Sequence, residues 1–330
     1  MKNVWKGVIA ALVTPMTVAE EVDLERLGEI VDYLIAEGVQ GLSPLGSTGE
    51  YYALTDMERK AVVEATLEAA AGRVPVVVGT NAGSTREVVA YARQAQRLGA
   101  DGLLLAAPYY SLPTPEELFE HFRMVNDAIG IPIMLYNYPA RTGVDMTPAL
   151  IERLADLENV RYVKESTGDV KRVGEIIRRT DGKIRVFCGC DTLALESVRL
   201  GAVGWVGGVA NVLPKEHVQL LNLASRQGDL TMAHELHHRL SPVLSMIEDE
   251  GKYTQFVKAG CSLVGHPVGP PRRPLLWPSP EEMARLQKAL SALRTLPTPA
   301  VATYRNGTLR GRAACRLSPS TEHDGEQGVR

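Results

Sequence analysis

Val160-Arg161-Tyr162-Val163-Lys164-Glu165-Ser166-Thr167-Gly168 reads as a short apolar strand that closes on a lysine and opens into a polar turn. One strand-plus-helix unit upstream, the apolar run from Ile131 ends on Tyr136 and Asn137. Apolar β-type runs alternating with helical-period segments are the pattern of a parallel sheet with helices packed outside it. A charged group in such a strand is rarely buried without a task. An exposed Lys164 paired with Glu165 is the ordinary alternative, but Tyr162 and Val163 make the segment too apolar for a surface ribbon. An amine buried beside a phenol can condense with a keto acid and pass protons, so enzyme chemistry is the first expectation.

Outward from this unit the same alternation repeats eight times, with strands expected near Val8, Gly41, Val74, Asp101, Ile131, Val160, Ile184 and Val203. Their richness in Val, Ile and Leu suits strands buried on both faces. Helix starts are marked by Asp23, by Thr55 ahead of Asp56-Met57-Glu58, and by the pairs Thr114-Pro115 and Thr147-Pro148. Gly38, Gly99, Gly130 and Gly201 stand where helices should stop. Eight such units close an α/β fold of the (β/α)8 barrel type over residues 1–225. From 226 to 296 strand signals vanish while helical periodicity continues, which predicts a C-terminal helical appendage. Pro267, Pro270, Pro271 and Pro274 interrupt it before a last helix opening at Glu281-Glu282. The Thr, Arg, Gly and Ser composition of 297–330 predicts a disordered tail.

A net charge of −3 over 330 residues argues against a general nucleic-acid binder. Cys188, Cys190, Cys261 and Cys315 are spaced neither as a disulfide framework nor as zinc knuckles, so a reduced interior is expected. No segment approaches about 20 uninterrupted apolar residues, and the amino terminus lacks a secretory pattern. A cytoplasmic protein without membrane contact is expected.

In a barrel of this kind the chemistry sits at the carboxyl ends of the strands. Gly46-Ser47-Thr48-Gly49-Glu50, Pro108-Tyr109-Tyr110, Tyr136-Asn137 with Arg141, and Lys164 all fall there. Ser47 and Thr48 offer hydroxyls and backbone N–H groups to a carboxylate, although a plain tight turn is the alternative. Tyr109 and Tyr110, taken alone, read as interface or core aromatics before they read as functional groups. Arg141 carries the fork best suited to bidentate capture of a carboxylate.

Together Gly41-Leu-Ser-Pro-Leu-Gly-Ser-Thr-Gly-Glu50, Tyr136-Asn-Tyr-Pro-Ala-Arg-Thr-Gly143 and Lys164-Glu-Ser-Thr-Gly168 resemble the dihydrodipicolinate synthase and N-acetylneuraminate lyase family, over about residues 4 to 293. The resemblance implies that Lys164 forms an imine with pyruvate, that Tyr136 is the adjacent acid and base, and that Thr48 and Tyr110 complete a proton relay. It assigns the pyruvate carboxylate to Ser47 and Thr48, adds Val206 to the substrate-binding set, and gives Arg141 the second substrate's carboxylate. The partner of pyruvate is then a small aldehyde or keto acid, aspartate semialdehyde first, with no metal or organic cofactor beyond the imine. Relatives cleave, dehydrate or deaminate sugar acids, sialic acid or imino acids instead. A tyrosine at the place of Tyr110 reaches into a neighbouring subunit's site, which implies a dimer at least and commonly a homotetramer of two dimers. Ser47 departs from the threonine usual in the synthases.

A reading from another class comes from His234-Glu235-Leu236-His237-His238, which satisfies the HExxH pattern of zinc proteases. Its position in the helical appendage, away from the barrel rim, favours a solvated helix face. Cys188 and Cys190, near the seventh strand's end, are read as ordinary reduced cysteines.

Overall fold

In the computed structural model, which describes residues 4–225 and 227–295, all eight strands are present and parallel. They are β1 (Gly7–Ala11), β2 (Gly41–Ser43), β3 (Val77–Gly79), β4 (Gly102–Ala106), β5 (Ile133–Asn137), β6 (Val160–Glu165), β7 (Arg185–Cys188) and β8 (Gly204–Gly207). Between and after them run α1 (Leu24–Ala36), α2 (Asp56–Ala70), α3 (Thr85–Leu98), α4 (Pro115–Ala128), α5 (Pro139–Thr142), α6 (Pro148–Leu154), α7 (Lys171–Arg179), α8 (Ala194–Arg199) and α9 (Pro214–Ala224). The ladder runs β2-β1-β8-β7-β6-β5-β4-β3. Its ends meet where Leu42 N–H reaches Pro75 O at 3.0 Å and Gly79 N–H reaches Pro44 O at 2.9 Å. The fold is a (β/α)8 barrel.

Two strands start more than one residue later than expected, at Val77 instead of Val74 and at Ile133 instead of Ile131. Pro75 and Pro132 precede them, and a residue without an N–H cannot open a two-sided ladder. Each proline contributes only its carbonyl, to Leu42 and Leu103 respectively.

Strand alternation separates two apolar layers. Ile9, Leu104, Met134, Tyr162, Phe187 and Val206 pack inside the barrel, while Val8, Leu103, Leu135, Val163, Val186 and Trp205 meet the helices. Trp5 stacks on Tyr162 with ring centroids 4.4 Å apart, and its backbone N–H donates to the Tyr162 hydroxyl, plugging the amino-terminal end. Helix starts behave as their sequences require. Thr55 with Glu58 and Thr114 with Glu117 form reciprocal capping boxes, and Asp23 caps α1. Each such cap stabilises by about 1 kcal/mol. Gly38, Gly99 and Gly201 follow helix ends with positive φ. α4 instead ends in extended backbone at Ile129, one residue before Gly130.

The appendage is helical: α10 (Leu230–Asp249), α11 (Tyr253–Leu263) and α12 (Pro280–Thr295). α10 packs on α9 and α12, and Leu236, Leu240, Val243, Leu244 and Ile247 join the same core as the barrel helices. The segment read as a tail, 297–330, and Cys315 lie outside the described residues. Among the described residues no helix is long and apolar enough to cross a membrane.

Candidate active site

One irregularity decides where Lys164 points. In the β5–β6 ladder Ile133 pairs with Val160 but Met134 pairs with Tyr162, leaving Arg161 as an extra, exposed residue in β6. A bulge of one residue reverses the facing of everything after it. Val160 faces the helices, yet Tyr162 is inside and Val163 is again outside, so Lys164 enters the barrel. There it lies level with Tyr136 on β5 and Phe187 on β7.

Lys164 is 5% exposed, and its Nζ stands 4.3 Å from the centroid of the Tyr136 ring. Ser47 Oγ lies 3.3 Å from the Tyr136 hydroxyl, and Thr48 is buried beside them. Gly189 makes room for the lysine stem: a Cβ there would fall 2.8 Å from Lys164 Cγ and 1.9 Å from Ser166 Oγ. The turn after β2 that carries Ser47 and Thr48 continues into Glu50, whose backbone is left-handed.

Two connected lobes form the cleft above these groups. The inner lobe, about 40 Å³, is walled by Thr48, Lys164, Ser166, Cys190, Glu248 and Tyr253. The outer lobe, about 300 Å³, is walled by Tyr51, Asn81, Tyr109, Thr142 and Leu275. Ser47, Tyr52, Tyr136, Tyr138 and Arg141 border both. The guanidinium of Arg141 lies 6.0 Å from the Tyr138 ring centroid at the exposed mouth. Ser47, Thr48, Tyr136, Arg141 and Lys164 are thus brought together from three segments of the chain.

Two other expected residues lie elsewhere in the single chain. Val206 is fully buried in the interior layer and borders neither lobe. Tyr110 is 97% exposed with φ +73°, an uncommon backbone for a non-glycine residue. Tyr109, by contrast, lines the outer lobe.

The appendage supplies wall residues that sequence reading passed over: Glu248 from α10, and Tyr253 and Thr254 from α11. Behind the inner lobe, Asp191 accepts from Trp205 Nε1 at 2.8 Å and from the Tyr253 hydroxyl, which itself accepts the Gly208 N–H at 2.8 Å. Burial, reinforced by Glu248, pushes the Asp191 carboxyl up to about 7. Folded protein therefore keeps a proton that the unfolded chain loses from about pH 4 upward. The stability this group contributes is fully present below pH 4 and is lost as pH rises through about 7. Asp191→Asn should accordingly gain on the wild type between pH 4 and pH 7.5 in urea titrations, and parallel pH profiles would remove the assignment.

His234, Glu235 and His238 are exposed on α10, and His237 Nε2 stands 3.2 Å from the Thr192 carbonyl. Among the described residues no three His, Cys, Asp or Glu side chains gather as a metal site would require. Cys188 and Cys190 are free; Cys188 Sγ donates to the Cys190 carbonyl, while Cys190 borders the inner lobe.

An eight-stranded parallel barrel with a buried lysine and tyrosine side by side on its carboxyl rim defines a lysine-bearing barrel of the aldolase type. The profile of the dihydrodipicolinate synthetase family matches residues 4–293, and the chain belongs to that family. It is 39% identical over 293 residues to a 4-hydroxy-tetrahydrodipicolinate synthase of Methanothrix thermoacetophila, covering 88% of this chain and 98% of the relative. A protein of the same name from Pelobacter propionicus is 42% identical over 233 residues, 71% of this chain and 80% of that one. Among solved structures, the chloride-inhibited dihydrodipicolinate synthase of Acinetobacter baumannii complexed with pyruvate superposes with a TM-score of 0.83 at 32% identity, covering 88% of this chain and 99% of that one.

Proposed function

We propose that this aldolase-type lyase joins pyruvate to aspartate semialdehyde through an imine on Lys164, as a 4-hydroxy-tetrahydrodipicolinate synthase. The observation that carries the reading is Lys164 Nζ inside the barrel against the Tyr136 ring, with Ser47 on the Tyr136 hydroxyl. The names of the relatives support the substrates.

The neutral amine of Lys164 adds to C2 of pyruvate, water leaves, and the resulting iminium acidifies the methyl carbon. Loss of a proton gives an enamine, whose carbon attacks the aldehyde carbon of the second substrate. The product's own amine then closes on C2 and displaces Lys164. Tyr136 supplies and recovers the proton at each carbinolamine, and Ser47 connects its hydroxyl to the carboxylate pocket made with Thr48. Arg141 meets the aldehyde's carboxylate at the mouth. The protein works in the cytoplasm as a homotetramer in which Tyr110, extended from one subunit, completes the relay beside Thr48 of its neighbour.

The test is direct condensation of pyruvate with aspartate semialdehyde by the purified protein. Arg141→Ala should lower kcat/KM for that aldehyde by about 10²-fold, as loss of a charge-assisted pair does. Reductive trapping of pyruvate should stay within a few-fold of wild type. Equal losses in both measurements would remove the role given to Arg141, and absence of condensation would remove the substrate assignment.

A further inference from the structure

Two opposite charges stand unpaired in the walls of the same cleft. Among the described residues, Arg141 has no carboxylate within ion-pair distance, and Glu248 has no lysine or arginine. Glu248 is nevertheless held firmly. Its Oε2 accepts both the N–H and the hydroxyl of Thr192, at 2.7 and 2.9 Å, and the Cys190 thiol also bonds to the carboxylate. Burial disfavours its charged form, so the carboxylate sits where a cation would relieve it.

A second orphan lies in the same inner lobe. Ser166 is 4% exposed, and its Oγ has no hydrogen-bond partner among the described residues. The hydroxyl shares the inward face of the chain with Lys164, in the space that Gly189 leaves open. Buried hydroxyls without partners are costly, and one aimed at a substrate cleft is completed by the substrate.

We propose that Glu248 and Ser166 form the pocket for the α-ammonium group of the aldehyde substrate and thereby set its specificity. This rests on the condensation reading above and names what it leaves open: why an amino aldehyde and not a plain anionic one. Arg141 takes the carboxylate, Glu248 and Ser166 take the ammonium, and the aldehyde carbon is left over the Lys164 enamine. An aldehyde carrying a carboxylate alone satisfies Arg141 but brings no cation to Glu248. A polar pocket rejects an analogue that lacks the matching group more strongly than an apolar pocket does.

The experiment compares aspartate semialdehyde with 4-oxobutanoate, the same chain without the amine, by following carbon–carbon bond formation with pyruvate. Glu248→Gln should lower kcat/KM for the amino aldehyde by roughly 10- to 100-fold, mainly through KM, the range for a lost hydrogen bond to a charge. The same variant should leave 4-oxobutanoate within about 3-fold, since that substrate makes no bond there. Ser166→Ala should act in the same direction with a smaller effect, and reductive trapping of pyruvate on both variants reports that the fold and Lys164 are intact. An equal fall for both aldehydes would assign Glu248 to holding Thr192 and overturn the proposal, as would an unchanged preference. Wild-type protein that traps pyruvate yet condenses neither aldehyde would instead sink the condensation reading itself.

Discussion

Lys164→Ala should give a folded protein that pyruvate and borohydride leave unmodified, with turnover lower by at least about 10⁴-fold, because both the covalent route and the placement it provides are lost. In wild-type protein the same treatment should add one reduced pyruvyl group, and peptide mass mapping should place it at position 164. Lys164→Arg separates the nucleophile from the long basic side chain: a guanidinium can still lie against the Tyr136 ring but cannot form the imine, so it should fail as completely as alanine. Tyr136→Phe provides the contrast. The ring that packs against Nζ remains while the hydroxyl that Ser47 approaches is gone, so the adduct should still form at position 164, with turnover down by about 10²-fold. A pyruvyl adduct at any other lysine, or full trapping in Lys164→Ala, would end the case for this site.

The barrel was legible because each unit repeats one physical signal, a strand apolar on both faces followed by a capped helix, and eight repeats leave few other folds. Strand starts slipped by more than one residue only at Pro75 and Pro132, where the missing N–H delays the ladder without disturbing the pattern. The facing of Lys164 was a different matter. Counting alternately from Val160 puts Lys164 on the helix side, and only the bulge at Arg161 brings it inside. A bulge is a property of two strands paired together, so one strand's sequence carries little sign of it. Glu248, Tyr253 and Thr254 escaped for a related reason: nothing in an amphipathic helix says that its last turn, as in α10, or its first, as in α11, borders a cleft built from other segments. Tyr110 shows the opposite limit, since the single chain leaves it in solvent and gives it no place in the cleft.

The appendage also holds the turn after β2 in place. Lys258 of α11 and Glu50, two residues beyond Thr48, are both fully buried and form an ion pair at 2.5 Å. Lys258 further donates to the Pro270 carbonyl at 2.8 Å, and the other Glu50 oxygen accepts the Arg272 N–H at 2.7 Å. The Arg272 guanidinium continues the seam to Glu58, whose carboxyl it holds down at about 2. Burial pulls the Lys258 ammonium down while Glu50 pulls it back up, so the lysine's charge depends on the carboxylate beside it. Lys258→Met leaves the Glu50 carboxylate buried without a cation and should destabilise the protein by about 3–5 kcal/mol in urea titration. Adding Glu50→Gln removes the stranded charge, so the double variant should recover most of that loss, a coupling that a double-mutant cycle measures directly. Because Glu50 holds a left-handed turn directly behind Thr48, the single variant should also trap pyruvate more weakly than the double variant does. A single variant within about 1 kcal/mol of wild type, or a double variant no better than the single, would show that the pair does not fasten this loop.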